Sequence, residues 1–99
     1  MALFRANYYE SRTGKCEVEE FIDSLDPHIQ AKFFAKRNLL EEHGPRLPRP
    51  HATLLEDGIY ELRFTSPQGQ VRILYFFFYR TEIIFTNGFI KKTNKVPRK

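Results

Sequence analysis

A chain of 99 residues has the length of one domain and buries roughly 60–65% of its unfolded surface, enough for a single core. Hydrophobic residues at 41% and charged residues at 28% match globular averages and exclude a disordered or fibrous chain. A lone cysteine, Cys16, excludes an internal disulfide and a four-cysteine metal site.

The longest apolar run, Ile73–Tyr79, is seven residues, strand-sized and far short of the ~20 that cross a bilayer as a helix. No charged-then-apolar leader opens the chain, so a cytoplasmic protein without a membrane partner is expected. The net charge of +4 is unevenly spread. Residues 1–59 hold eight Lys/Arg against ten Asp/Glu, and residues 60–99 hold eight against two. A concentrated positive field draws a polyanion, although a solubilising surface or an acidic protein partner would also account for it.

In chain order, Ala2–Tyr9 reads as a short first strand. Val18, Phe21, Ile22 and Leu25 then repeat at the spacing of one buried helix face, with Glu17, Glu19 and Glu20 in the first turn, where the helix dipole favours them. Cys16 precedes this helix and reads as a capping or packing residue. Asp26-Pro27 predicts an amino-terminal cap and first position for a second helix, which runs through Ile29, Phe33, Lys36 and Leu40 until Gly44-Pro45 stops it. Arg46–His51 is a proline-stiffened linker.

The period then changes to two. Ile59–Thr65 alternates, with Tyr60, Leu62 and Phe64 on one side and Ile59, Glu61, Arg63 and Thr65 on the other. A turn at Ser66–Gly69 leads to Gln70–Tyr79, apolar on both faces and therefore central. Ile83–Ile90 forms a further strand, and 91–99 is a basic tail with five cations in nine residues. The order is strand, helix, helix and an antiparallel meander of about three strands, in one domain over 1–99. Helices should cover one sheet face and leave the other for function.

No glycine-rich phosphate loop, HExxH or paired-cysteine spacing is present, so no metal or cofactor is expected. His28, His43 and His51 are scattered and read as solvated or helix-end residues. What stands out is a set of cations. Arg63 and Arg72 flank the Ser66–Gly69 turn, where a hairpin brings them within reach of each other. A guanidinium in the row of Leu74, Phe76 and Phe78 needs a partner, either Glu61 or Glu56 within the chain or a phosphate brought to it. Lys91 and Lys92 arrive from the next strand, and Lys95 and Arg98 extend the tail as RNA contacts, unless this run is a solvated end. Cations beside aromatic rings hold single-stranded nucleic acid, with charge on the backbone and rings under the bases. Tyr60 and Tyr75 are the stacking candidates, because a phenol tolerates a wet edge.

Three blocks carry a resemblance. Leu54-Leu55-Glu56-Asp57-Gly58-Ile59-Tyr60-Glu61-Leu62-Arg63, Val71–Phe76, and Asn87-Gly88-Phe89-Ile90-Lys91-Lys92-Thr93-Asn94-Lys95-Val96-Pro97 together resemble the phage-derived, HigB-like branch of the RelE/ParE toxin superfamily. Val18–Ile22 and Gly44-Pro45 are similar to that branch too, so the likeness spans nearly the whole chain. The resemblance implies a β-α-α-β-β-β α+β fold, an antiparallel sheet with two helices on one face. It also implies a type II toxin–antitoxin partnership with a cognate helix-turn-helix antitoxin, in a heterotetramer. RelE-like members cleave mRNA on the ribosome without a metal, which makes ribosome and mRNA the other expected partners.

By position, the resemblance assigns Arg72 as the central catalytic arginine, with Arg63 and Lys92 as catalytic partners and Lys91 beside them. Glu61 stands where RelE has a lysine, and part of that charge set is missing. The branch usually continues into a carboxy-terminal helix bearing RelE's tyrosine, so ending at Lys99 implies a shortened chain, or assistance from Tyr75 or His51. ParE-type relatives act instead on DNA gyrase. A degenerate toxin that only binds partners, or a purely structural small protein, completes the alternatives.

Overall fold

The computed structural model describes residues 3–92. Strand β1 (Arg5–Tyr8) leads through a loop to helix α1 (Glu17–Asp23) and helix α2 (Pro27–His43), and a single 3₁₀ turn, Gly44–Arg46, follows. Four strands complete the chain: β2 (Ala52–Glu56), β3 (Ile59–Ser66), β4 (Gly69–Phe78) and β5 (Glu82–Lys91). They form one five-stranded sheet in the order β1-β5-β4-β3-β2. Its class is α+β, with two α-helices and a mixed sheet.

Two expectations are corrected. The sheet is not wholly antiparallel, because β1 lies parallel to β5, with Ala6 opposite Ile83 and Tyr8 opposite Phe85. The meander also has four strands rather than three. β2 pairs with β3 across an Asp57–Gly58 turn in which both residues have positive φ (51° and 78°), the conformation of a tight hairpin whose twist matches its strands. At the helix starts, Asp26 occupies the cap position before Pro27 without a side-chain capping bond, and Cys16 likewise precedes α1 without one. Cys16 packs against the core instead.

One sheet face carries Leu62, Phe64, Val71, Ile73, Tyr75, Ile83 and Phe85, all buried. Val18 and Ile22 of α1, Leu25, and Ile29, Phe33 and Leu40 of α2 join this core, and Leu47 and Ala52 complete it. Ring contacts tie the layers together, Phe33 meeting Phe85 edge-on at 5.4 Å. Fully burying side chains of this size contributes about 1.5–3 kcal/mol each before chain entropy is subtracted.

A bulge in β5 decides what the other face displays. Leu74 pairs with Asn87 but Tyr75 pairs with Phe85, so Thr86 is an extra residue. Strict alternation from Ile83 would bury Phe89. The extra residue reverses the phase, so that Gly88 and Ile90 face the helices, opposite Ile73 and Val71, and Phe89 turns outward opposite Arg72. Gly88 is required there, since a β-carbon would lie 2.6 Å from the Phe21 ring of α1.

Candidate nucleic-acid interface

The outward face of β3 and β4 gathers the polar residues of the two strands. Arg63 and Arg72 are directly opposed in the ladder, and so are Thr65 and Gln70. Two like charges facing each other destabilise a sheet unless something lies between them. Here Glu61 and Gln70 do. Arg72 Nη1 donates to Glu61 Oε1 at 3.3 Å and Oε2 at 3.4 Å, while its Nη2 donates to Gln70 Oε1 at 2.8 Å. Arg63 Nη2 reaches the same Gln70 oxygen at 3.3 Å, and its Nε stands 3.7 Å from Glu61 Oε1.

Glu61 belongs to the outward face yet is only 4% exposed, covered by the two guanidinium groups. The intrachain partner anticipated for Arg72 is therefore real. A single carboxylate serves two arginines, which leaves one positive charge unmatched. Arginine offers five N–H donors, so neither fork is exhausted by these contacts. Arg72 Nε and Arg63 Nε are both buried without a hydrogen-bond partner.

Arg72 opens into a cleft of about 410 Å³ lined also by Thr65, Ser66, Gly69, Gln70, Lys91 and Lys92. Among the described residues, no carboxylate is in its wall. Gly69 makes the cleft possible, because it has φ 145° and a β-carbon there would lie 2.5 Å from the Lys91 carbonyl oxygen. That close approach brings the end of β5 against the β3–β4 hairpin and sets Lys91 and Lys92 beside Arg72. Ser66 Oγ donates to the Gly69 carbonyl at 2.8 Å and holds the turn closed.

Arg72, Lys91 and Lys92 thus stand together, with Arg63 behind them across Gln70. Lys95 and Arg98 lie outside the described residues. The two tyrosines are elsewhere. Tyr75 is 1% exposed on the helix-covered face, where burial raises its phenol well above the ordinary value, and Tyr60 stacks on it at 5.4 Å. Their even-numbered and odd-numbered positions are paired across the β3–β4 ladder, which puts both rings on the face opposite the arginines. Neither is a platform for a base bound there.

Phe78, at the far end of β4, and Phe89 are the exposed rings of β4 and β5 on the arginine face, and Phe89, 41% accessible, is the one directly across from Arg72. Only the β5 bulge turns it outward, and bulges leave little trace in a single sequence. His51, the other suggested assistant, is also outside the Arg72 cleft. Its Nδ1 lies 2.6 Å from Lys36 Nζ, on the α2 side of the sheet.

Lys32 and Lys36 were missed as well. They line a second cleft of about 360 Å³ with Arg63, Phe64, Thr65, Gln70, Ala35 and Pro50. Their i, i+4 spacing shows a basic stripe on α2, but not where that stripe lands. No helix among the described residues is long and apolar enough to cross a membrane.

The mixed sheet and its hairpin of opposed arginines define a small basic α+β protein with a cationic outward face. The chain belongs to the family described as phage-derived protein Gp49-like (DUF891), a RelE-like toxin family, whose pattern matches residues 20–99. No curated protein matches it.

Proposed function

We propose that the protein is the toxin of a type II toxin–antitoxin pair, of the HigB-like branch, and that it inhibits translation as a ribosome-dependent, metal-independent mRNA endoribonuclease. One observation carries this reading: Arg72, Lys91 and Lys92 line a single cleft with no carboxylate in its wall among the described residues, large enough for a phosphodiester and its flanking sugars. Membership of a RelE-like toxin family supports it.

In this reading the substrate's own 2′-oxygen attacks the adjacent phosphorus while the bond to the 5′-oxygen breaks, leaving a 2′,3′-cyclic phosphate and a 5′-hydroxyl. Negative charge builds on the non-bridging oxygens. Arg72, already oriented by Glu61 and Gln70, presents its remaining donors to that charge, and Arg63 reinforces the field from across Gln70. Arginine is too weak a base to take the 2′-proton, which passes to water as the oxygen attacks. Lys92 is assigned the proton delivered to the leaving 5′-oxygen. The antitoxin would be a helix-turn-helix protein binding as a heterotetramer.

The shared Glu61 favours a second reading, a toxin-like module that binds partners without cutting RNA, because it removes half of the hairpin's arginine charge. Primer extension on an mRNA after expression of the wild type and Arg72→Ala separates these. Truncated transcripts that fall by about 10²–10³ in rate in the variant support the nuclease. Growth arrest with DNA damage and intact mRNA points to a gyrase-directed relative, and neither effect points to the module.

A further inference from the structure

We propose that the cleft between α2 and the free edge of β3 is a second phosphate subsite, so that a single strand of RNA crosses the β3 edge and is gripped on both sides of it. This rests on the RNA-directed reading above and extends it to Lys32 and Lys36, which that reading does not use. The two clefts share Thr65 and Gln70 in their walls and therefore adjoin at the hairpin. Lys32, Lys36 and Arg63 line one, and Arg72, Lys91 and Lys92 line the other. Among the described residues, neither wall includes an aspartate or glutamate. Six cations along one band, with the single carboxylate of Glu61 beneath two of them, form a track of the kind that follows a phosphate backbone.

The edge itself is open. Pairing between β2 and β3 ends at Ala52 opposite Leu62, and beyond it the Arg63 N–H donates to the His51 carbonyl at 2.9 Å. Past that point the Thr65 carbonyl is met by Lys32 Nζ, at 3.0 Å, and not by another strand. Lys36 is partly buried beside Lys32 and touches His51 Nδ1, whose ring has no negative charge with which to balance the ammonium. A phosphate oxygen would balance it. The competing role for Lys32 is to shield an unpaired strand edge from another chain, a common use of lysine.

Binding of the full-length protein to a labelled single-stranded RNA of about ten nucleotides, titrated over a range of salt, tests the proposal. Each phosphate contact on a single strand contributes about 0.7 to the slope of log affinity against log salt. Lys32→Gln should lower the slope by about 0.7, and Lys32→Gln with Lys36→Gln by about 1.4. Lys32 is exposed, so its variant keeps the fold, and a melting curve checks the double variant.

Arg80→Gln, an exposed arginine in the turn beyond β4, should leave the slope unchanged. Equal losses at Lys32 and Arg80 would mean diffuse attraction and overturn the subsite. A wild-type slope in both lysine variants, with binding still abolished by Arg72→Gln, would also overturn it, leaving the Arg72 reading intact and Lys32 as an edge shield. Absence of any wild-type binding at low salt removes both.

Discussion

Arg63 and Arg72 face each other across β3 and β4 and draw on the same two acceptors, the buried carboxylate of Glu61 and the amide oxygen of Gln70. This bracket holds two cations at one point on a sheet surface. Replacing Glu61 with Gln keeps the shape but removes the charge from under both guanidinium groups. Losing a charged hydrogen-bond partner in a buried setting costs about 1–3 kcal/mol, so the variant should unfold at lower urea. The same change leaves the hairpin with a full extra positive charge, so RNA should bind it more tightly and added phosphate should recover part of the lost stability. A variant as stable as wild type, with unchanged RNA affinity, would show that Glu61 does not restrain the arginines.

Phe89 carries the second prediction. Stacking of a base on an aromatic ring contributes about 1–3 kcal/mol, and Phe89 is the exposed ring next to Arg72. Phe89→Ala should weaken single-stranded RNA binding on the order of ten- to a hundredfold while changing the melting temperature little. Tyr75→Phe, in the core, should leave RNA affinity where it was. Fluorescence anisotropy on both variants separates a stacking surface from general loss of structure, and equal weakening in the two would remove Phe89 from the interface.

Gly88 links the interface to the core. Its backbone faces α1 because of the same bulge that turns Phe89 outward, and an alanine β-carbon would meet the Phe21 ring at 2.6 Å and Ile73 at 3.2 Å. Gly88→Ala should destabilise by about 1–3 kcal/mol, the usual cost of overfilling a packed site. Phe21→Leu opens the space, so the double variant should lose less than the two single losses summed. Additive losses in chemical denaturation would show that the two residues do not compete for one volume.

These residues also show how far the sequence could be followed. Both helices, the Ser66–Gly69 turn and the three long strands follow from apolar period and from Pro and Gly punctuation, because each is dictated within a short window. The Asp57-Gly58 pair was a strong hairpin signal for β2, but a strand with mostly exposed side chains has no alternation to announce it. The parallel seating of β1 on β5 joins residues some 75 positions apart, beyond any local pattern. In the site, Arg63 and Arg72 were brought together by hairpin register, which sequence alone supplies. Phe89 was not recognised because one bulged residue inverts a face, and Lys32 and Lys36 were not because the landing of a helix is a tertiary fact.

Lys36 gives the last prediction, a dependence on pH. Burial, reinforced by the charge of Lys32, holds its ammonium below the ordinary lysine value of 10.5. The unfolded chain therefore binds the proton more tightly than the folded one between the lowered value and 10.5, and stability rises with pH across that window. Below the window both states are protonated and the penalty is complete. Lys36→Met keeps the packed stem without the charge, at the expense of the His51 contact. It should be more stable than wild type at neutral pH, and its advantage should shrink as pH climbs through the alkaline window. Phosphate at neutral pH should narrow the same gap, because an anion beside Lys36 stabilises the wild-type ammonium and has nothing to act on in the variant. Urea titrations of both proteins at neutral and alkaline pH measure this directly. A gap that widens with pH would mean that Lys36 is held by a favourable charge and that the α2–β3 cleft is not short of an anion.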